Sequence, residues 1–266
     1  IMANKTLTAL TNTVVKSLPQ DSTTLDDSQQ FSLAENETIE IKQYRSALNN
    51  HWEIELVSPH DGIITWFTFI SHVEIFEDAN FKKKLVETAF EEWEFFSRGT
   101  KKEREDGIWQ HIVQYWQEAL NMNNIDTPTD VGNIPWSAAF ISWLMTKSGA
   151  RNKFKRNASH SVYIRDAIKK RKEKVIDAPF IAFKINEVSP QVGDLVCAPR
   201  QSGVTYDTTE SYISHCDLVV EKRDDEIDII GGNVSNSVTK KTLKLDDNSR
   251  VDDNSRPWFV VIKNLL

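Results

Sequence analysis

The chain has 266 residues, of which 39% are hydrophobic and 27% are charged, as in an ordinary globular protein. Its formal net charge of −7 argues against a nucleic-acid partner, because phosphate binding requires a basic surface. The sequence contains no apolar run near the roughly 20 residues that cross a bilayer. Its two cysteines, Cys197 and Cys216, are too few for a disulfide scaffold, and the sequence leaves a single bridge between them open.

The N-terminal part of the chain contains short segments in which apolar and polar residues alternate. These segments are residues 13–16, 38–41, 51–57, 63–69 and 72–76. Their period predicts half-buried strands, and the polar turns between them predict a small β barrel. This part resembles bacterial SH3-like domains, which implies an SH3-like β module over residues 1–78, joined near residues 78–80 to a second domain over 79–266. Wall binding and a purely structural role are both compatible with such a module.

The second part begins with helical patterns. Residues 81–96 carry apolar side chains on one face at helical spacing, and Gly99 follows them. Asp106 is expected to cap a second helix. The residues that this helix is predicted to bury are Ile108, Ile112, Tyr115, Trp116 and Ala119. Residues 121–133 are polar and predict a loop.

A third helix is predicted around the stretch Pro-Trp-Ser-Ala-Ala-Phe-Ile-Ser-Trp at residues 135–143. Asn133 and Pro135 favour a helix start and Gly149 favours its end. The strongly apolar composition between them predicts that the helix is buried. Ser137 then lies in its first turn, where unpaired backbone N–H groups and the positive end of the helix dipole stabilise an anion.

The same stretch is similar to the Trp-Cys-Ala-Ala-Phe-Val-Ser-Trp signature of CHAP and NlpC-type cell-wall amidases. Ser137 stands where those families have cysteine. The resemblance is closest to an uncharacterised bacterial domain family related to them, and it extends from about Phe81 to the C-terminus. It implies a papain-like α+β domain with an antiparallel sheet, a buried nucleophile helix and peptidoglycan as substrate.

After Phe180 the pattern changes to strands. The candidates are residues 193–197, 214–220, 226–230, 238–245 and 258–263. Short connections between them predict an antiparallel sheet, and helices followed by strands predict an α+β domain. The loop 200–211 is long and polar, which is typical of a lid or a specificity loop.

His215 begins one of these strands, in the setting where the resembled amidases carry their catalytic histidine. Strand alternation places His215 and Asp217 on one face and Cys216 on the other, which predicts that Cys216 is a core residue. Asn233 lies about where the resembled amidases place their third polar residue, which implies that it accepts a hydrogen bond from the His215 ring and so fixes its tautomer. Asp217 is the competing candidate for that role, although two positions along one strand is an awkward reach. For Asn233, a turn-forming role after two glycines is the alternative.

Two further residues are candidates for substrate binding. Trp136 precedes the nucleophile position, and His160 begins an apparent helix, where a cap or core role is the alternative. Asp194, in the segment Pro-Gln-Val-Gly-Asp-Leu-Val, is expected to bond backbone groups at a strand start. The histidines, cysteines and carboxylates show no spaced pair such as His-Glu-x-x-His, so no metal site is predicted.

Ser137 itself admits three interpretations. It is a serine nucleophile that depends on His215 as base, a replacement that inactivates a cysteine enzyme, or a native but inert residue. We expect the first, and therefore a peptidoglycan amide hydrolase that acts by acyl transfer through Ser137, His215 and Asn233 without a cofactor. The rival is a catalytically inactive protein that binds the cell wall or another partner.

The opening residues bear on where the protein acts. Residues 1–5 lack the apolar core of a secretory signal. Because peptidoglycan lies outside the cytoplasm, we expect action in the bacterial periplasm or cell wall after delivery by a dedicated secretion system. An antibacterial effector of that kind implies an immunity protein as a partner.

Overall fold

A computed structural model describes residues 5–77 and 80–266. The chain forms two compact units, divided between Phe81 and Lys82. The junction expected near residues 78–80 lies just before this division, and Asp78 and Ala79 lie outside the described residues. The same holds for residues 1–4, on which the expectation about a signal depends. In the part of the chain that is described, no helix is both long enough and apolar enough to cross a membrane.

The first unit is a seven-stranded antiparallel sheet with the order β3-β2-β6-β5-β4-β1-β7. Its strands are β1 (Lys5–Ala9), β2 (Thr13–Lys16), β3 (Gln30–Leu33), β4 (Thr38–Ala47), β5 (His51–His60), β6 (Ile63–Phe69) and β7 (Val73–Glu77). One core cluster, which includes Leu7, Ile41, Ile54 and Trp66, lies against this sheet. The alternation that predicted strands is therefore a real signal of burial on one side.

The predicted SH3-like barrel is not what these strands form. A barrel closes only when its two outer strands bond to each other. Within residues 5–77, β3 pairs with β2 and β7 pairs with β1, and the two edges do not pair with each other. The sequence pattern also missed β1 and β3, which have five and four residues. Binding of this unit to the cell wall stays a prediction.

The second unit begins with helices. They are α1 (Phe81–Phe95), α2 (Ile108–Leu120), α3 (Pro128–Asn133), α4 (Ser137–Lys147) and α5 (His160–Lys172). The residues predicted to face inward on α2 are all buried. The N-cap of α2 is Gly107 rather than Asp106, and Asp106 instead accepts a hydrogen bond from the Gln110 side chain at 2.6 Å.

The predicted loop at residues 121–133 contains α3. Thr127 caps this short helix by accepting a hydrogen bond from the Asp130 N–H at 3.1 Å, while Asp130 accepts one from the Thr127 N–H at 3.2 Å. Pro128 occupies the first turn, where its missing N–H costs nothing. Asn133 therefore ends α3 instead of starting α4. The segment was predicted to be a loop because it is polar, but two of its polar residues, Thr127 and Asp130, form the capping box of a helix.

The second sheet has six strands in the order β12-β11-β10-β9-β13-β8, and all of its pairs are antiparallel. Its strands are β8 (Phe180–Lys184), β9 (Leu195–Pro199), β10 (Ser214–Lys222), β11 (Glu226–Val234), β12 (Ser237–Lys244) and β13 (Val260–Asn264). The predicted α+β class with an antiparallel sheet is confirmed. Helix α4 packs on β10 and β11, and α5 packs on β8 and β10, so the starts of both helices approach β10.

Asp194 fastens two neighbouring strands of this unit's sheet, β9 and β13. Its carboxylate is buried and accepts hydrogen bonds from the Gln191 N–H at 2.7 Å and the Asn264 N–H at 2.9 Å. It also pairs with the ammonium group of Lys263. The expectation that Asp194 bonds backbone groups at a strand start is confirmed, and the interaction connects β9 to the last strand, β13.

We expect Asp194→Asn to lower the free energy of unfolding by about 3 kcal/mol, because it leaves the Lys263 charge without its buried partner. Urea denaturation followed by far-UV circular dichroism measures this change. Asp246→Asn is the matched control, since the Asp246 carboxylate also accepts backbone N–H groups, from Asn248 and Arg250, and pairs with a cation, but is only partly buried. If Asp194→Asn lowered the free energy of unfolding no more than the control does, Asp194 would not stabilise the contact between β9 and β13 as we expect.

Candidate active site

Ser137 and His160 form a hydrogen-bonded pair at the starts of two helices. Ser137 is the first residue of α4 and His160 the first of α5. The His160 Nε2 atom lies 2.7 Å from the Ser137 Oγ atom, and both residues are buried, with 5% and 4% of their surface exposed. A serine beside an imidazole nitrogen is the arrangement that lets the imidazole accept the hydroxyl proton.

The N-terminus of α4 is open. Its N-cap, Trp136, provides no side-chain cap. Among the described residues, the backbone N–H groups of Ser137, Ala138 and Ala139 have no hydrogen-bond partner. They therefore stand free beside the Ser137 hydroxyl, together with the positive end of the helix dipole. Free N–H groups at that place are suited to stabilise a developing oxyanion.

Tyr163 holds the other nitrogen of the His160 ring. Its hydroxyl hydrogen-bonds to His160 Nδ1, and Tyr163 lies one turn further along α5. The pKa of His160 lies well below its usual range, mainly because the ring is buried. The neighbouring side chains of His215, Arg200 and Arg256 lower it further. The imidazole is therefore neutral at pH 7.

The positions of the hydrogen atoms along the hydrogen-bonded series Ser137–His160–Tyr163 decide whether Ser137 is activated. If the Nδ1–H of His160 donates to the Tyr163 oxygen, then Nε2 accepts from the Ser137 hydroxyl and the serine is activated. If the Tyr163 hydroxyl donates to Nδ1, then Nε2–H donates to Ser137 and gives no activation. Burial and the negative charge of Asp217 raise the pKa of Tyr163 well above its usual value, so the phenol keeps its proton in either case.

His215 lies at the centre of a buried charged cluster next to this pair. Its Nε2 atom is 2.8 Å from Asp217 Oδ1, and its Nδ1 atom is 3.0 Å from an Arg200 guanidinium nitrogen. Arg256 donates to the other Asp217 oxygen at 2.6 Å. Burial alone would raise the pKa of Asp217, but His215, Arg256 and Arg200 outweigh it and lower the pKa of Asp217.

The cluster fixes the tautomer of His215. A guanidinium group only donates hydrogen bonds, so Nδ1 must accept from Arg200. The ring proton then sits on Nε2 and donates to Asp217. The one lone pair of the neutral ring is therefore already used by Arg200.

The expected hydrogen bond between Ser137 and His215 is not formed. The His215 ring lies next to that of His160, with 5.2 Å between ring centroids, but its two nitrogens bond to Arg200 and Asp217. His160 takes the position at Ser137 that was expected of His215. Strand alternation correctly placed His215 and Asp217 on one face of a strand. It could not show whether His215 or His160 would reach Ser137.

Asn233 does not orient the His215 ring, because Asp217 does. Asn233 is half-buried with a left-handed φ of 55°, beside the turn that joins β11 to β12. The residue of this stretch that meets the cluster is Gly231. A Cβ atom built on Gly231 would lie 1.8 Å from Asp217 Oδ1 and 3.2 Å from His215 Nε2. The reach from Asp217 to the ring, which had looked awkward, exists because position 231 carries no side chain.

Trp136 is a core residue and not a substrate contact. It is fully buried, its ring packs near Phe96 and Tyr115, and its indole N–H donates to Glu103 at 2.9 Å. A side chain without accessible surface cannot touch a substrate in this conformation. His160, the other residue expected to bind substrate, does lie on the cleft.

The cleft beside Ser137 has a volume of about 300 Å³. Its walls come from the starts of α4 and α5 and from the long loop before β10. The residues that line it are Pro135, Ser137, Ala138, Ala158, Ser159, His160, Arg200, Gln201, Ser211, Tyr212, Ile213 and Ser214. The polar loop singled out as a lid or a specificity loop therefore contributes a wall of the cleft.

Cys197 and Cys216 form a disulfide bond. They are directly opposite each other on the antiparallel strands β9 and β10, and both are fully buried. The predicted core position of Cys216 agrees with its burial, and the bridge that the sequence left open is formed. Alternation could not decide this, because it shows the face of a residue and not its cross-strand partner. The bond fastens the strand of His215 to the strand that leads into Arg200.

The described residues contain no group of three or more His, Cys, Asp or Glu side chains that could hold a metal ion.

The sequence did not point to three residues of the site, which are Tyr163, Arg200 and Arg256. It did offer Asp217, the actual partner of His215, but only as the competitor of Asn233. Tyr163 had a signal, because it follows His160 by three positions on a helix and so shares its face. Arg256 had none, since only the folded sheet brings it to Asp217.

Residues 103–264 match a family described as an uncharacterized protein conserved in bacteria, DUF2272. This chain belongs to that family. The match includes every residue of the Ser137–His160 pair and of the cluster around His215. The matched segment is thus the one that builds the cleft.

A solved structure, that of NlpC2 from Trichomonas vaginalis, is similar over 98% of this chain and 72% of its own length, with 11% identity and a TM-score of 0.26. A likeness at that score supports no conclusion about fold or function. None of the curated proteins is a match to this chain.

The buried neutral His160 predicts a pH-dependent stability. Unfolded histidine binds a proton below about pH 6.5, whereas the lowered pKa keeps the folded ring neutral there. The free energy of unfolding should therefore fall as the pH drops below about 6.5, by up to about 1.4 kcal/mol per pH unit. Urea denaturation between pH 7 and pH 5 measures the slope.

His160→Gln is the control, because glutamine keeps hydrogen-bonding capacity and does not titrate. Its slope over the same range should be smaller than that of the wild type. Parallel curves for the two proteins would show that His160 titrates normally in the folded state. The depressed carboxylate of Asp217 acts only below about pH 4. Burial also lowers the pKa of His51, but that contribution is the same in both proteins and cancels in the comparison.

The disulfide predicts a separate effect on stability. Replacing both cysteines with alanine should lower the free energy of unfolding by about 3 kcal/mol, since the bond joins positions 19 residues apart and restricts the unfolded chain. Wild-type protein unfolded with a reductant should match the double variant. Equal stability with and without the bond, or titratable thiols in the oxidised denatured protein, would contradict it.

Proposed function

We propose that the C-terminal unit hydrolyses amide bonds of peptidoglycan peptides by acyl transfer through Ser137. The observation that carries this proposal is the hydrogen bond between Ser137 Oγ and His160 Nε2 at the open N-terminus of α4. It unites a nucleophile, a neutral base and free backbone donors on one cleft. That is the minimal set for attack on an amide carbonyl.

In this mechanism His160 accepts the Ser137 proton as Oγ attacks the carbonyl carbon. The negative charge that develops on the carbonyl oxygen is stabilised by the free N–H groups at the start of α4. His160 then returns the proton to the leaving amine, and the acyl group stays on Ser137 as an ester. Water attacks this ester by the same route, with His160 as base again, and the serine is regenerated.

The proposal changes the roles inferred from the sequence. His160 replaces His215 as base, because His215 has its lone pair on Arg200. Asn233 has no part in the chemistry. His215, with Asp217 and Arg256 behind it, becomes a positioning group that packs against the His160 ring.

Peptidoglycan as substrate rests on the resemblance of residues 135–143 to cell-wall amidases. The disulfide supports an oxidising compartment such as the periplasm, because cytosolic thiols are kept reduced. Delivery by a secretion system, with an immunity protein in the producing cell, is part of the same proposal.

One observation favours the rival, a catalytically inactive wall-binding protein. The Nδ1 atom of His160 faces a phenol where hydrolases of this type place a carboxylate or an amide. A phenol stabilises an imidazolium less than a carboxylate does, and the lowered pKa of His160 further weakens it as a base. Ser137 is therefore less strongly activated than the serine of a Ser-His-Asp triad.

Digestion of purified sacculi, with products identified by mass spectrometry, tests the proposal. Wild-type protein should release peptide fragments, and Ser137→Ala or His160→Ala should each lower the rate by at least about a hundredfold. The losses should not add in the double variant, because the two side chains act as a unit. Ser148→Ala, at a buried serine at the other end of α4, is the matched control and should retain the wild-type rate.

The pH profile separates His160 from another base. Since His160 has a lowered pKa, its neutral form persists in mild acid, and hydrolysis should stay near its plateau below pH 6.5.

Ser137→Cys should be active if the site is intact, because the helix N-terminus stabilises a thiolate. Activity in Ser137→Cys alone would make the native protein the inactive rival, and full hydrolysis by Ser137→Ala would exclude Ser137 as nucleophile.

A further inference from the structure

We propose that Arg200, Tyr212 and Ser214 form a subsite that binds a carboxylate of the substrate next to the scissile amide. This inference rests on the proposed function and names a feature of the peptide that the cleft selects. The three residues line the same cleft as Ser137 and His160. All three carry hydrogen-bond donors that the protein itself leaves unused.

Arg200 is a cation whose guanidinium forms no ion pair. Across residues 5–77 and 80–266, no carboxylate lies within ion-pair distance of it, although Asp217 acts on it at longer range, and its one side-chain hydrogen bond goes to His215 Nδ1 at 3.0 Å. Arg256, by contrast, is neutralised by Asp217 at 2.6 Å. A guanidinium group has five N–H donors, so Arg200 keeps most of them available on the wall of the cleft.

Two hydroxyl groups of the same wall are buried and unsatisfied. Tyr212 and Ser214 are 4% and 8% exposed, and the Tyr212 OH and Ser214 Oγ atoms have no hydrogen-bond partner among the described residues. Leaving a buried polar group without a partner costs free energy, so a native protein rarely does so without reason. Because both residues line the cleft, a ligand that accepts hydrogen bonds at this wall would satisfy both after a small rotation of each side chain.

The charge of the cleft selects an anion. None of its lining residues is an aspartate or a glutamate, while Arg200 and the open start of α4 both contribute positive potential. Burial, which outweighs the effect of Arg165, raises the pKa of Tyr212 to about 12, so its hydroxyl is a neutral donor. A planar guanidinium with neutral donors beside it matches a carboxylate, which accepts two parallel hydrogen bonds.

The position of the subsite places that carboxylate near the reacting bond. Arg200 bonds to His215, His215 packs against His160, and His160 bonds to Ser137. The carboxylate therefore belongs to a residue that adjoins the scissile amide. Peptides in which this group is amidated should bind less tightly than those in which it is free.

Small probes test the subsite separately from hydrolysis. The full chain is titrated with N-acetylalanine, which carries a carboxylate, and with N-acetylalaninamide, which does not. The Arg200 Nε–H and the Tyr212 ring resonances are followed by NMR. We expect the carboxylate probe to shift both resonances and to bind about tenfold more tightly than the amide, the usual effect of one charge-assisted hydrogen bond.

Substitutions separate recognition from structure. Arg200→Gln should abolish the preference for the carboxylate, and Arg200→Lys should restore part of it by restoring the charge. Tyr212→Phe and Ser214→Ala should each weaken binding of N-acetylalanine severalfold without lowering stability, because they remove hydroxyls that bond to nothing. Thr68→Val is the matched control, since Thr68 also carries a buried unpartnered hydroxyl but belongs to the N-terminal unit.

The outcomes distinguish this inference from the proposed function. Preferential carboxylate binding by a protein that leaves sacculi intact would keep the subsite and exclude the hydrolase. Cleavage of sacculi by a protein that binds the two probes equally would exclude the subsite and keep the hydrolase. Loss of stability in Tyr212→Phe or Ser214→Ala would also overturn the inference, because it would show that these hydroxyls already have partners.

Discussion

Asp217 and Arg256 face each other inside the second unit, 2.6 Å apart, with the carboxylate almost wholly removed from water. A buried carboxylate costs several kcal/mol in solvation, so it persists only because Arg256 and the His215 N–H neutralise and bond it. This requirement determines the rest of the cleft. It fixes the His215 proton on Nε2 and presents Nδ1 to Arg200. It also places positive charge behind His160, which adds to the effect of burial in lowering the pKa of that imidazole and keeping it neutral.

In the resulting site, one histidine contacts the serine and a different histidine contacts the carboxylate. His160 touches the serine but has no carboxylate, and His215 has a carboxylate but does not touch the serine. A serine hydroxyl needs a base more than a thiol does, because it ionises far less readily. The neutral state of His160 satisfies that need over a wide pH range, at some cost in the strength of the base. The balance between these two effects is what separates the hydrolase from the inactive binding protein.

Local patterns in the sequence predicted much of this structure. The composition of residues 137–147 showed a buried helix with Ser137 in its first turn, and alternation placed His215 and Asp217 on one face of a strand. Some errors are local, such as the short helix α3 within a polar segment. The questions that decide the site concern distant partners. Whether the first sheet closes, whether the two cysteines meet, and whether His160 or His215 reaches Ser137 depend on register and on helix placement. Arg256, 39 residues from Asp217, illustrates the limit, because no local pattern connects the two.

Gly231 gives the family a diagnostic position. The Asp217 carboxylate occupies the space that a Cβ atom at position 231 would fill. An alanine at 231 would therefore displace the carboxylate and leave Arg256 without its ion-pair partner. A glycine at 231, an aspartate at 217 and an arginine at 256 should therefore be inherited together or lost together among relatives. A relative with a larger residue at 231 would have lost the whole charged cluster, and its cleft could be classified from the sequence alone as following a different chemistry.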